Sequence, residues 1–236
     1  MSLRPFFCFY GGKWRSAPLY QTPTCLTIVE PFAGAAGYAT RYYSRPVILV
    51  ERDPVIAALW RWLISVKASD VRSVPILGMD QTTDDLRGVG EEARTLVGFW
   101  LNKGASAPRR SPSAWMRQGI RPKSFWCETV RSRIADQVEH IRHWRIIEGS
   151  YEQAPDVLAT WYVDPPYVIA GKHYRYHDID YPRLAAWAKE RRGQVIVCEN
   201  AGAEWLPFEP FADVKSNESS SGGKVSREVV CQWFAA

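Results

Sequence analysis

Apolar residues along the chain fall into short continuous runs separated by stretches of helical periodicity. Residues 26–32 (Leu-Thr-Ile-Val-Glu-Pro-Phe) form one such run, closing on a small-residue turn, Ala33-Gly34-Ala35-Ala36-Gly37. A buried strand, a tight turn and then a helix are expected there. Residues 46–51 (Pro-Val-Ile-Leu-Val-Glu) give a second buried strand that ends on an acid. From Pro54 onward Ile56, Ala57, Leu59, Trp60 and Leu63 recur at helical spacing, with Pro54 suited to the first turn. Ser124 is placed to cap a long amphipathic helix whose Val130, Ile134, Val138, Ile141 and Trp144 share a face. Residues 160–163, 194–198 and 227–234 have strand character, and residues 181–191 helical character. Alternating strands and helices predict an α/β protein with a mostly parallel sheet. No internal repeat is present.

With 236 residues and 46% hydrophobic content, the chain can bury a core as one large domain or as one domain with an inserted lobe. A charged fraction of 23%, with 16 Gly and 16 Pro spread along the chain, excludes a disordered or collagenous protein. No run approaches the ~18 apolar residues of a membrane span, and the first ten residues lack a signal peptide's apolar core. Five scattered cysteines without a Cys-x-x-Cys pair suit a reduced, cytoplasmic protein better than a disulfide framework or zinc site. The overall charge of +5 says little, but residues 102–133 hold eight basic residues against one acid, Glu128. That window, with Pro108, Pro112, Pro122 and several serines, is expected to resist regular structure until about Lys123. An Arg-rich flexible segment is the footprint of a phosphate-backbone contact; a merely solvated loop is the alternative.

Two places carry candidate chemistry. The small-residue turn lets backbone approach a ligand, though it is not Gly-x-Gly-x-x-Gly, and many such turns are only tight packing. Glu51, at the end of the neighbouring strand, is where a ribose hydroxyl pair would be held, unless it is an ordinary solvent-facing acid. The sharper signal is Asp164-Pro165-Pro166-Tyr167 after an apolar run. The prolines remove two backbone donors, leaving a carboxylate and carbonyls, all acceptors, beside an aromatic ring. Such a cluster suits a planar group bearing an amino, such as the exocyclic amine of a base.

On these residues the chain resembles the DNA adenine-N6 methyltransferases of the DNA adenine methylase type. Phe9-Tyr10-Gly11-Gly12-Lys13 is similar to the family's N-terminal motif, and Val29-Glu30-Pro31-Phe32-Ala33-Gly34-Ala35 to its cofactor turn. Ile48-Leu49-Val50-Glu51 corresponds to the strand ending on the ribose-binding acid, Ser150-Tyr151 to a cofactor-adenine contact, and residues 164–167 to the catalytic tetrad. Residues 219–234 resemble the terminal hairpin. The resemblance implies a Rossmann-like methyltransferase fold, with residues 1–68 and 140–236 binding S-adenosylmethionine and residues 69–139 forming an inserted basic helical or loop region for DNA recognition.

It implies that Phe9, Lys13, Pro31, Phe32, Ala33, Gly34, Ala35, Glu51, Ser150 and Asp164 hold the cofactor, Lys13 through its carboxylate and Glu51 through its ribose. Asp164 and the Pro165 carbonyl would then accept hydrogen bonds from the amino group of an extruded adenine, with Tyr167 stacked on the base. The candidate DNA surface comprises Asn102, Lys103, Arg109, Arg110, Arg117, Arg121 and Lys123, with His173, Tyr174 and Tyr176 after the tetrad. Trp115 and Trp126 are possible contacts rather than core. The family's long recognition insert is not recognisable beyond Leu101-Asn102-Lys103, so short or relaxed sequence specificity is expected. No metal and no membrane partner are expected, His140 and His143 included, and a monomer is favoured. Cytosine-N4 methylation and a non-catalytic DNA-binding protein are the alternatives; an RNA or protein-amide substrate fits less well.

Overall fold

Period-two alternation along the apolar runs sorts the core into two layers, one on each side of a sheet. The structure is a computed structural model that describes residues 2–119, 125–215 and 225–235. Its strands are β1 (Thr27–Glu30), β2 (Val47–Glu51), β3 (Arg145–Glu148), β4 (Ala159–Val163), β5 (Gly193–Asn200), β6 (Glu209–Lys215) and β7 (Val225–Ala235), in the order β3-β2-β1-β4-β5-β7-β6. All pairs are parallel except β5 with β7 and β6 with β7, so β7 alone is reversed. This mixed α/β architecture, with a mostly parallel sheet and an antiparallel terminal hairpin, is compatible with a Rossmann-like fold.

On one side Ile28, Leu49, Tyr162 and Ile196 pack against α1 (Pro54–Ser65), α3 (Glu91–Trp100) and α5 (Glu128–Val138). On the other, Val29, Val50, Trp161, Val163 and Val197 meet Leu184, Ala185, Trp187 and Ala188 of α6 (Tyr181–Lys189). Helix α1 begins as expected: Asp53 caps it by accepting from the Val55 amide at 2.9 Å, and Pro54 occupies the first turn. No described helix is long and apolar enough to cross a membrane.

Several expectations need correction. The turn at Gly34 leads not into an α-helix but into a short 3-10 helix, Ala39–Tyr42. Helix α5 begins at Glu128 with no side-chain cap; Ser124 lies outside the described residues. The terminal hairpin has its arms at Glu209–Lys215 and Val225–Ala235 rather than wholly within residues 219–234. Strand β3 and helices α2 (Ala68–Ser73) and α3 were missed altogether. Trp126 is core, 2% exposed with its indole N–H on the Pro75 carbonyl; the Trp115 side chain is outside the description.

The basic segment is also seated, not loose. The Arg109 amide donates to the Gly98 carbonyl (3.1 Å), and the Ser113 amide to Leu101 (3.1 Å), ahead of the one-turn helix α4 (Ala114–Arg117). Met116, Trp126, Val130 and Ile134 join Leu49 and Trp60 in one core, so residues 69–139 share the sheet's hydrophobic layer. Gly98 makes the seating possible, because a Cβ there would lie 2.8 Å from the Arg109 carbonyl oxygen and from Pro108. Gly98→Ala gains helix propensity worth about 1 kcal/mol but forces the segment away at about 1–3 kcal/mol. The clash is with backbone, so it wins. A lower urea midpoint and faster amide exchange at Arg109 are expected; a more stable variant would show that the segment does not rest on α3.

Candidate active site

The strand order reverses between β1 and β4, and in open α/β sheets ligands bind beyond the carboxyl ends of the strands at such a point. The sequence-predicted residues converge there. Ser150 (after β3), Glu51 (end of β2), Pro31 to Ala35 (after β1) and Asp164 (after β4) stand along four adjacent strands, a row of roughly 14 Å at about 4.8 Å per strand. They line a cleft of about 340 Å³ with Phe9, Lys13, Tyr174 and Tyr176, in the size range of small-molecule sites, about 300–1,000 Å³.

The turn after β1 is held from four directions. The Gly34 amide donates to Glu51 Oε2 (2.9 Å), the Trp60 indole to the Gly34 carbonyl (2.8 Å), and the Ala39 amide to Glu30 Oε1 (2.6 Å). Phe9 closes over it: a Cβ on Gly34, whose φ is +44°, would lie 3.1 Å from that ring. Ala36 is held at φ +48°, a strained conformation for a residue with a side chain, and one that persists only because these contacts fix it. Glu30, absent from the sequence-based site, is thus structural support at the cleft; its position before Pro31 was its only signal. Burial pushes its carboxyl up to about 8.

Lys13 is engaged within the protein. Its ammonium is buried and lies 2.9 Å from Asp164 Oδ1 and 3.1 Å from Oδ2, donates to the Gly11 carbonyl (3.2 Å), and sits 4.6 Å over the Tyr167 ring. It is engaged with Asp164 rather than extended toward a cofactor carboxylate. Burial works against its charge, but Asp164 and Glu228 outweigh that and raise the pKa above the ordinary lysine value. Asp164 is pushed up by burial, and Lys13 draws it back. The aligned hydrogen bond from Lys13 goes to Oδ2. Oδ1, among the described residues, is a buried acceptor with no hydrogen bond.

Tyr167 is likewise not free to stack on a ligand. It is 8% exposed, one face carries Lys13, and its hydroxyl donates to Glu228 Oε2 of β7 at 2.6 Å. Glu228 lay unnoticed in the sequence because it comes from the reversed strand, 61 residues away. Tyr174 turns inward, its ring against Phe9 and its hydroxyl on the Tyr10 carbonyl (3.2 Å). Arg175 crosses toward Asp53 (3.9 Å), and Arg52 and Arg175 both lie over the Tyr176 ring. These residues close the outer side of the cleft; His173 packs on Tyr10 and stays exposed.

Of the expected DNA surface, Lys103, Arg109 and Arg117 are exposed and Asn102 is half-buried. Arg110 is engaged with Asp84, while Arg121 and Lys123 fall outside the described residues. Among the described residues no cluster of His, Cys, Asp or Glu could hold a metal ion.

Glu30, Glu51, Asp53, Glu152, Asp164, Asp178 and Asp180 line the cleft against Lys13, Arg52, Arg175 and Arg183, although burial keeps Glu30, and in part Glu51, protonated near neutral pH. Among the described residues the α-helix N-termini at the cleft are closed, α1 by Asp53 and α6 by Asp180. A phosphate would find little to bind, and a cationic ligand bearing hydroxyls much.

No protein-family model matches the chain, and no curated protein does. Among solved structures it is similar to a conserved hypothetical protein of Streptococcus pyogenes, at 12% identity over 86% of this chain and 84% of that one, with a TM-score of 0.34. So slight a likeness carries no assignment.

Glu51 offers a direct test of the site's electrostatics. Burial moves its carboxyl from 4.5 up to about 7, against the lowering bonds from the Asp53 and Gly34 amides. Between those pH values the folded protein keeps a proton that the unfolded chain has released, so stability falls as pH rises through the window. Urea unfolding of the wild type is expected to show this fall, and Glu51→Gln to flatten it by about 1–3 kcal/mol, allowing for the solvent that reaches this half-buried side chain. Parallel profiles for the two proteins would refute it.

Proposed function

We propose that this protein transfers the methyl group of S-adenosylmethionine to the exocyclic N6 of an adenine extruded from DNA, within a short or relaxed sequence context. The observation that carries this function is Asp164, a buried carboxylate that follows β4 at the switch point of the sheet and lines the cleft while paired with Lys13. Its Oδ1 meets the Lys13 ammonium at 2.9 Å without an aligned hydrogen bond, which leaves acceptor capacity for an amino donor once the pair shifts. The cleft fits the cofactor: Glu51 stands where ribose hydroxyls would be held, Ser150 and Phe32 farther along the row, and the acidic lining suits a sulfonium cation. The sheet order and terminal hairpin accord with the fold that the sequence resemblance implies.

When bound, the cofactor supplies an electrophilic methyl group. The protein's own residues do the rest by positioning. Asp164 Oδ1 accepts one amino hydrogen of the target base, and the Pro165 carbonyl, freed of a competing N–H donor on either proline, is available for the other. Two acceptors on one amine favour a nitrogen whose lone pair points out of the ring plane, toward the methyl group. Asp164 and Glu228, two carboxylates against one ammonium, favour the positive charge that develops on that nitrogen. Tyr167 acts as the fixed wall beside them. For it to serve as a stacking surface, Lys13 must move off its face. Lys103, Arg109 and Arg117 are exposed cations on the segment that this reading assigns to the phosphate backbone, and no strand occurs among the described residues of 69–139 to build a rigid base-reading hairpin.

Wild-type protein incubated with methyl-labelled S-adenosylmethionine and plasmid DNA is expected to yield labelled N6-methyladenine on nucleoside digestion, and Asp164→Ala none. That variant also strands a buried ammonium, at a cost of about 3–5 kcal/mol. Adding Lys13→Ala should therefore restore stability without restoring transfer, separating chemistry from folding. Label in N4-methylcytosine, or in no nucleoside, would overturn the assignment.

A further inference from the structure

We propose that Val168 and Ile169 form an apolar wedge that enters the base stack of duplex DNA and fills the gap left by the extruded base; the proposal rests on the methyl-transfer function only for the identity of that base. The two residues follow the tetrad directly and are 53% and 68% exposed. Of the other exposed large apolar residues, Leu26 and Leu158 precede β1 and β4 and Phe234 pairs with Gln194 at the start of β5, at the amino ends of the parallel strands, while Val225 opens β7 on the carboxyl side, two strands from β4. Val168 and Ile169 are the adjacent pair that lies at the carboxyl ends, beside Asp164.

Their turn is stiff. The Gly171 amide donates to the Tyr167 carbonyl (2.7 Å), and the Val168 amide to Glu199 Oε2 at the end of β5 (3.3 Å). Gly171 packs so closely on Pro166 that a Cβ would lie 3.1 Å away. A tip of two β-branched side chains on a fixed base loses little conformational freedom on insertion. Exposed Lys172 and His173 follow immediately, placing basic groups where a duplex bears phosphates. Two side chains are too few for a protein interface, which needs about 800 Å² per partner, but they match a single base step. Extrusion breaks stacking on both sides of the target, and an apolar side chain in the gap offsets that loss.

The test uses full-length wild type and the Val168→Ala/Ile169→Ala double variant on two duplexes that differ only in whether the target adenine is paired with thymine or opposed by a mismatch. A mismatched base costs less to extrude, so it needs the wedge less. Methylation of the paired duplex is expected to fall about tenfold, equivalent to ~1.4 kcal/mol, with a markedly smaller fall on the mismatched one. Equal losses on both, or none, would overturn the proposal. With 2-aminopurine at the target position, wild type should raise fluorescence and the double variant should not; an undiminished rise would also overturn it. If wild type raises this fluorescence but methylates neither duplex, the methyl-transfer function fails while the wedge stands.

Discussion

One buried ion pair organises this molecule. Lys13 belongs to the irregular N-terminal arm and Asp164 to the end of β4, 151 residues away, and their contact draws the arm across the carboxyl edge of the sheet. Neither charge could be tolerated in that place alone. Once the arm is drawn in, Phe9 covers the Gly34 turn, Tyr174 finds the Tyr10 carbonyl, and Trp14 lies so near Gly37 that a Cβ there would meet its amide at 2.6 Å. The cleft therefore has walls from four distant parts of the chain. An arrangement held by opposite charges in low dielectric is strong, but it also concentrates unequal charge: two carboxylates face one ammonium.

That imbalance distinguishes the site from an ordinary nucleotide pocket. Sheets of this kind commonly receive phosphates at a glycine turn backed by an α-helix. Here the turn is followed by four residues of 3-10 helix, and the neighbouring helix is closed off by Asp53. Among the described residues Asp53 and Asp180 cap the two α-helices that begin at the cleft, which sets it apart from a phosphate-binding turn.

The parallel strands β1, β2, β4 and β5 were legible because strands buried on both faces must be continuous apolar runs, and the helix at Pro54 because it carries a proline in its first turn and a clean repeat. Glu51 and Asp164 were legible for a related reason: each is the polar residue that ends such a run. Strand β3, at the sheet's edge, has the pattern exposed, half-buried, half-buried, exposed and so gives no apolar signal. The basic segment misled in the other direction. Its prolines and serines resemble those of a loose loop, yet Ala105, Pro112 and Met116 are buried and Gly98 receives it. Contacts such as those from Lys13 to Asp164 and from Tyr167 to Glu228 depend on chain segments far apart, and local patterning holds no record of them.

The Tyr10 amide donates to the carbonyl of Ala105 at 3.1 Å, a bond that joins the arm over the cleft to the start of the basic segment. The two are therefore parts of one mechanical unit, and any free-energy change on one side is felt on the other. If a ligand that settles Phe9, Gly11 and Lys13 also shifts the segment from Asn102 to Arg110, thermodynamic linkage requires that the influence be reciprocal. Order of addition then has no effect on the final complex. A single backbone hydrogen bond is thus a direct link between the cleft's covering arm and the basic segment.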